Sequence, residues 1–200
     1  MIIAVEGIDG AGKNTLVTAI REELGADTCA FPRYGESIHA DLARDALHGK
    51  MGDLTSSAYG MATLFALDRA GAKPLLDAYA GAPDRIIVLD RYVASNAAYT
   101  SARTGDAGAA EWVRALEFDR LGLPVPDLQV LVDTPPEEAG RRARRREAAD
   151  GTRARDAYER NARLQEDTFA AYMRLAEAGW GSRWLRSADA QSIIQAVVNN

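Results

Sequence analysis

The sequence predicts an α/β fold, a five-stranded parallel sheet with helices on both faces. Three observations lead there. The clearest strand candidates, Ile2-Ile3-Ala4-Val5, 85–90 and 128–133, are apolar almost without alternation, as in strands covered on both sides. Longer segments with apolar residues at helical spacing lie between them. The two kinds of segment alternate along the whole chain, the order that gives parallel strands joined by crossover helices. A length of 200 residues fits one domain, 1–200, with a mobile segment at about 141–160.

The first strand ends in glycines, and Leu16, Val17, Ile20 and Leu24 mark a helix over 14–24. Thr28–Phe31 reads as a second strand stopped by Pro32, and 36–48 as a helix. Tyr59, Met61, Leu64, Phe65 and Leu67 predict a long helix from Thr55 to about Ala72, broken by Pro74. The third strand, 85–90, precedes helices at 93–103 and 107–122. The fourth, 128–133, runs into Thr134-Pro135-Pro136-Glu137, which matches a capping box with proline at the first helical position. A helix follows, then Gly151, then a second helix over 155–178. A weak last strand at 183–186 and a helix at 190–198 end the pattern.

Composition removes several classes of function. One cysteine, Cys29, excludes an internal disulfide, and with only His39 and His48 a Cys/His zinc cluster is not credible. No apolar run approaches the ~18 residues of a membrane span. The start, MIIAVEG, has no basic leader, so a cytoplasmic protein without membrane partners is expected. Net charge is −5, yet nine arginines and four acids fall between Arg141 and Arg163, making that segment +5. Fifteen basic and twenty-five acidic residues remain elsewhere, a balance of −10. Such a chain is not expected to bind nucleic acid but is suited to gripping a small anion at one place.

Chemistry concentrates after the strands, where ligands of open parallel sheets bind. Gly7-Ile8-Asp9-Gly10-Ala11-Gly12-Lys13-Asn14-Thr15 joins strand to helix and reads as a phosphate-binding loop. Glycines let backbone N–H groups turn toward a phosphate, the helix N-terminus adds positive potential, and Lys13 supplies a point charge. Asn14 takes the place of the usual Ser or Thr after the lysine, with Thr15 one later. Asp9 inside an anion cradle suggests a metal or a substrate hydroxyl between it and the phosphates; the alternative is a turn residue. Asp90 offers a second acid near a metal, and Arg91 a bidentate phosphate clamp, unless the two close a turn as an ion pair. Arg33 and Arg69, with Arg91, would surround a second anion. A phosphate monoester, second pKa ~6, is itself a competent nucleophile and needs positive clamps rather than a base, so a monophosphate acceptor is favoured. The arginine-rich 141–163 stretch suits a lid closing over phosphates, or else a solvated helix face.

Together the phosphate loop, Phe31-Pro32-Arg33-Tyr34, Asp90-Arg91-Tyr92 with Ser95, Asn96 and Tyr99, and the lid closed by Asp156-x-Tyr158-Glu159 resemble the thymidylate kinase family across essentially the whole chain. The resemblance implies a P-loop kinase fold with an arginine-rich lid. It implies Mg²⁺-dependent transfer from ATP to dTMP, giving ADP and dTDP for dTTP synthesis, in a homodimer. It assigns the loop residues Gly7, Gly10, Ala11, Gly12, Lys13, Asn14 and Thr15 to ATP. Phe65 would stack on thymine, Arg69 and Asn96 would bind the base, and Tyr99 would occupy the place of a ribose 2′-hydroxyl. Tyr34 and Asp9 would line the 3′ side, Arg91 and Arg33 would hold the acceptor phosphate, and Tyr158 and Glu159 would close the pocket. Asp9, Asp90 and Glu159 are the candidate metal carboxylates. Asn14 removes any loop arginine, so that charge must come from the lid, from Arg146 or Arg153. Rival readings are another P-loop nucleoside or nucleotide kinase and a P-loop switch protein.

Overall fold

The computed structural model describes residues 1–82, 84–149 and 155–198. Strand β1 (Ile2–Glu6) lies at the centre of a five-stranded sheet ordered β2-β3-β1-β4-β5. Its partners are β2 (Asp27–Ala30), β3 (Ile87–Asp90), β4 (Leu128–Leu131) and β5 (Trp184–Arg186). All pairings are parallel. Ile2, Ile3, Ala4 and Val5 point alternately to opposite faces, and each is fully buried, so both faces of the sheet are covered. Helix α1 (Lys13–Leu24) packs on β1, β2 and β3 and against α10 (Ala190–Val198). Helix α5 (Val93–Thr104) packs against α9 (Ala162–Glu177), α6 (Ala109–Arg114) and α3 (Ala58–Gly71). Ala94, Ser95, Ala97 and Ala98 keep α5 slim enough for helices to approach it on several sides, and all four are buried.

Register brings the functional strand ends to one edge. Val5 lies beside Asp90 on one side and Val130 on the other, and Ala30 lies beside Asp90. The chain leaving β1 therefore emerges between the ends of β3 and β4, the position at which such sheets bind ligands.

Several expected elements are shorter or divided. The long helix expected from Thr55 begins instead with a 3-10 turn, Leu54–Ser56; Ser57 then caps α3 by accepting from the Gly60 N–H at 3.0 Å. A short helix α4 (Lys73–Asp77) follows, with Pro74 in its first turn. The expected helix at 107–122 is α6 followed by a π-helix, Ala115–Arg120. Thr134 does not cap α7 (Pro136–Ala149): its hydroxyl donates to the Ala11 carbonyl at 2.9 Å, tying the end of β4 to the phosphate loop. The helix expected over 155–178 is split into α8 (Ala157–Arg160) and α9. Asp156 and Glu159 form the capping box of α8, and Asn161 caps α9 by accepting from the Leu164 N–H. The interruption expected at Gly151 lies outside the described residues.

Candidate active site

A cleft of about 1010 Å³ opens at the C-terminal edge of the sheet. Its floor is the loop between β1 and α1. Gly10, at φ +81°, runs so close to α7 that a Cβ there would overlap the Ala139 carbonyl. Gly12 begins α1 in the left-handed region. Lys13 is 8% exposed and donates from Nζ to the Ile8 carbonyl at 2.9 Å. Burial and the Arg91 charge bring its pKa down to about 8, against partial support from Asp9, Asp90 and Glu6. Asn14 and Thr15 are exposed on the cleft side.

Arg91 is the hub. It sits at φ +66°, an uncommon conformation for a side chain with a Cβ, and its N–H donates to the Val5 carbonyl. Its guanidinium donates to Asp9 Oδ1 at 2.5 Å, to the Gly7 carbonyl at 3.0 Å and to Ser95 Oγ at 3.2 Å. The Tyr99 hydroxyl donates to the other Asp9 oxygen at 2.7 Å. Burial alone would raise Asp9, but Arg91, Lys13 and these hydrogen bonds outweigh it and hold the carboxyl at about 2. Beneath lies Glu6, fully buried, which accepts from the Tyr92 N–H, Ser95 Oγ and the Tyr172 hydroxyl at 2.9, 2.6 and 3.1 Å. Burial raises its pKa, and the three donors work against that rise.

Asp90 lines the cleft, and its Oδ1 is buried without a hydrogen-bond partner. Among the described residues no three His, Cys, Asp or Glu side chains converge on a metal position. The other two carboxylates named from the sequence are engaged: Asp9 as above, and Glu159 by Arg146 at 3.4 Å and by the Asp156 N–H in the capping box.

At the far end Phe65, Arg69, Asn96, Tyr99 and Tyr34 line the same cleft. Arg69, 3% exposed, is held by both oxygens of the fully buried Glu117, at 2.5 and 2.7 Å. Asn96 donates from Nδ2 to Glu117 at 2.7 Å and to the Ala62 carbonyl at 2.9 Å. Tyr99 stacks on Tyr158 of α8, centroids 5.8 Å apart and 14° from parallel. Arg103 lies over the Tyr158 ring, donates to its hydroxyl, and ties it to the Thr55 and Ser57 carbonyls.

Most residues named from the sequence thus meet in one cleft. Gly7 and Ala11 shape the loop from behind. Arg33 is not brought into the cleft. Its backbone N–H and Nε bond the Asp68 carboxylate at 2.9 and 3.0 Å, and a third donor meets the Asp68 carbonyl at 2.6 Å. Arg153 lies outside the described residues. Six residues of the site escaped the sequence reading: Glu6, Arg103, Glu117, Tyr172, Gln165 and Arg142. Gln165 donates to Asp9 at 3.3 Å and to the Tyr158 carbonyl at 3.0 Å, linking the loop to α8. Arg142 reaches from α7 to the Ala11 carbonyl at 3.2 Å and lines the cleft. Its place on the first turns of the arginine run, nearest the loop, is the signal that could have found it.

A family model described as thymidylate kinase matches residues 5–200. A thymidylate kinase of Mycobacterium tuberculosis (strain H37Rv) is 55% identical over 193 residues, covering 92% of this chain and 90% of its own. A probable thymidylate kinase of Thermococcus onnurineus is 31% identical over 185 residues, covering 88% and 84%. Among solved structures, a thymidylate kinase from Candida albicans superposes with a TM-score of 0.72 at 20% identity, covering 99% of this chain and 89% of its own, a likeness of fold.

Proposed function

The chain belongs to the thymidylate kinase family, and from that premise we propose that it transfers the γ-phosphoryl group of ATP to dTMP, giving ADP and dTDP on the route to dTTP. The observation that carries this reading is one cleft with a cationic glycine loop at one end, an aromatic and amide-lined compartment at the other, and Arg91 between them.

ATP phosphates are held by the loop, with Lys13 returned to full charge by their proximity. The dTMP phosphate, largely dianionic at neutral pH (second pKa ~6), attacks without a general base. The protein's task is then positioning and charge stabilisation. Arg91 holds the acceptor phosphate, and Ser95 and Asp9 hold Arg91. Arg33 contributes only if it leaves Asp68. Phe65 stacks on the base, Arg69 and Asn96 meet its edge, Tyr34 and Asp9 line the 3′ side, and Tyr99 blocks the 2′ side. Tyr158 closes the compartment from α8. Arg142, bonded to the loop, and Arg146, which lines the same cleft, supply the charge that Asn14 does not; Arg153 remains a candidate on sequence grounds. A divalent cation fits beside Asp90, whose unpartnered carboxylate oxygen is the hard donor Mg²⁺ prefers, and Thr15 lines the same cleft; phosphates and water would complete the shell. When bound, Mg²⁺ neutralises charge on the phosphates. Asp9 and Glu159 would join it only by giving up their present partners.

We also infer a cytoplasmic homodimer. Tyr59 of α3 and Trp112 of α6 form an exposed edge-to-face pair with centroids 4.7 Å apart, an apolar feature suited to a subunit contact. No helix among the described residues is long and apolar enough to cross a membrane. ADP release from ATP, assayed with and without dTMP, tests the activity. Release that depends on dTMP and Mg²⁺ is expected; slow release indifferent to dTMP would instead favour a nucleotide-hydrolysing switch. Sedimentation of a Trp112→Glu variant as a monomer is expected if the aromatic pair is the contact.

A further inference from the structure

The π-helix after α6 carries a carboxylate into a fully buried position where two cleft residues converge on it. Glu117 Oε1 accepts from both Arg69 and Asn96, each at 2.7 Å, and Oε2 accepts from Arg69 Nε at 2.5 Å. An ionised carboxylate accepts and never donates, and so does the Ala62 carbonyl on the same terminal atom of Asn96. That atom must be the amide nitrogen, since an oxygen there would face two acceptors at hydrogen-bond distance. The amide oxygen is then left on the other side. Its contact is the Thr100 hydroxyl at 3.5 Å, so acceptor capacity remains. Arg69 has Nε and one terminal nitrogen committed to Glu117; its other guanidinium hydrogens are donors without acceptor capacity.

We propose that Glu117 is the positioning residue that sets base choice, by fixing Asn96 as an acceptor and Arg69 as a donor toward the cleft. An acceptor beside a donor complements an imide edge, where a ring N–H adjoins a carbonyl. It opposes an amidine edge, where a bare ring nitrogen adjoins an amino group. Thymine and uracil present the first and cytosine the second. The 2′ side is read at Tyr99, so Glu117 discriminates between these two edges and not between sugars. The π-helix matters because it brings the side chain of residue 117 to Arg69, 48 positions earlier in the chain, in place of the position a continued α-helix would dictate.

This inference rests on the reading that the base lies against Arg69 and Asn96, and the test separates the two. Wild-type enzyme is assayed with dTMP, N3-methyl-dTMP and dCMP. If N3-methyl-dTMP performs as well as dTMP, the base is not read at this edge and the reading itself fails. If wild type rejects both analogues, Glu117→Gln and Glu117→Asp are compared with it after circular dichroism has confirmed folding. Gln can donate to Asn96 and release its amide to turn over; Asp keeps the charge but shortens the reach. The kcat/KM ratio of dTMP to dCMP should fall about tenfold or more in Glu117→Gln and by less in Glu117→Asp, since an unpaired polar group in a closed site is what rejects the wrong partner. The change should lie in KM for dTMP, with KM for ATP and kcat at saturation little altered. A folded variant that keeps the wild-type ratio within about twofold overturns the proposal. Loss of folding in both variants overturns it as well, because Glu117 would then be a structural support first.

Discussion

Replacing Lys13 with alanine should lower kcat about a hundredfold or more, because in the proposed reaction it removes a fixed charge that would meet the transferring group in a desolvated site. Turnover within tenfold of wild type would count against the assignment. Its pKa, brought down to about 8, gives a second test. Phosphates arriving beside Lys13 favour the charged form, so nucleotide binding at about pH 8.5 should take up protons and weaken as pH rises further. Calorimetry in two buffers of different ionisation enthalpy reads this directly; identical heats would be inconsistent with it. The sign for folding is opposite to that of an ordinary ion pair. Between about 8 and the ordinary lysine value of 10.5 the unfolded chain holds more protons at this position, so its contribution to stability rises with pH. Asp9 behaves the other way. Its carboxyl, held at about 2, contributes stability that is full above the usual 3.8 and is lost as pH falls through 2. Asp9→Asn should therefore disturb activity at neutral pH by loosening Arg91, and a fully active, folded variant would reduce Asp9 to a turn residue. Tyr99→Ala should narrow the preference for dTMP over its ribose counterpart, read as the ratio of kcat/KM values. Tyr99→Phe, which keeps the ring and drops the bond to Asp9, should preserve that preference while slowing turnover.

At the scale of elements, α8 is the most exposed to single changes. Its four residues are held by the Asp156 cap, and it carries Tyr158 onto Tyr99. Asp156→Ala should cost about 1 kcal/mol locally and raise KM for dTMP more than KM for ATP. An equal rise in both would separate α8 from the acceptor compartment. The phosphate loop, β1, β3, β4 and α5 were legible in the sequence because each is a local signal: an apolar run, a glycine spacing, a helical stripe. The Asp156-x-x-Glu159 capping box was also written locally, yet it lies inside a run of arginines whose charge dominates any reading. Breaks at Asn161 and at the π-helix were not legible, since six residues are too few for a change of period to show. The Arg33–Asp68 and Arg69–Glu117 pairs were hidden for a different reason. Sequence identifies an arginine as a candidate clamp, but its partner is chosen by helix packing across 35 and 48 positions.

For the molecule as a whole, the sheet sets the stability on which the cleft depends. Ile3, fully buried on the central strand, should lose about 2–5 kcal/mol on conversion to alanine, in line with other large-to-small core changes. A loss under about 1 kcal/mol, measured by denaturant unfolding, would mean the centre of the sheet relaxes around the gap. Ligands binding only the folded form should raise Tm: saturation at a hundred times Kd adds about 2.7 kcal/mol, and each kcal/mol moves a domain of this size by roughly 2–4 °C. Lys13→Ala should abolish the shift from ATP and leave that from dTMP, whereas loss of both would show that the two compartments are not separately built.

The backbone of Arg91 has a consequence for what the turn after β3 costs the protein. In the left-handed region a residue with a Cβ carries a conformational cost of about 1–2 kcal/mol that glycine escapes. Glycine is thus the residue whose backbone suits the turn after β3, and the residue that dismantles the clamp. Arg91→Gly should melt above Arg91→Ala while both are comparably impaired in turnover, and the gap between their melting points measures the strain this turn holds for the sake of its guanidinium. Neither variant should outlast the wild-type protein, because each leaves Asp9 and the buried Glu6 without the guanidinium charge that holds them.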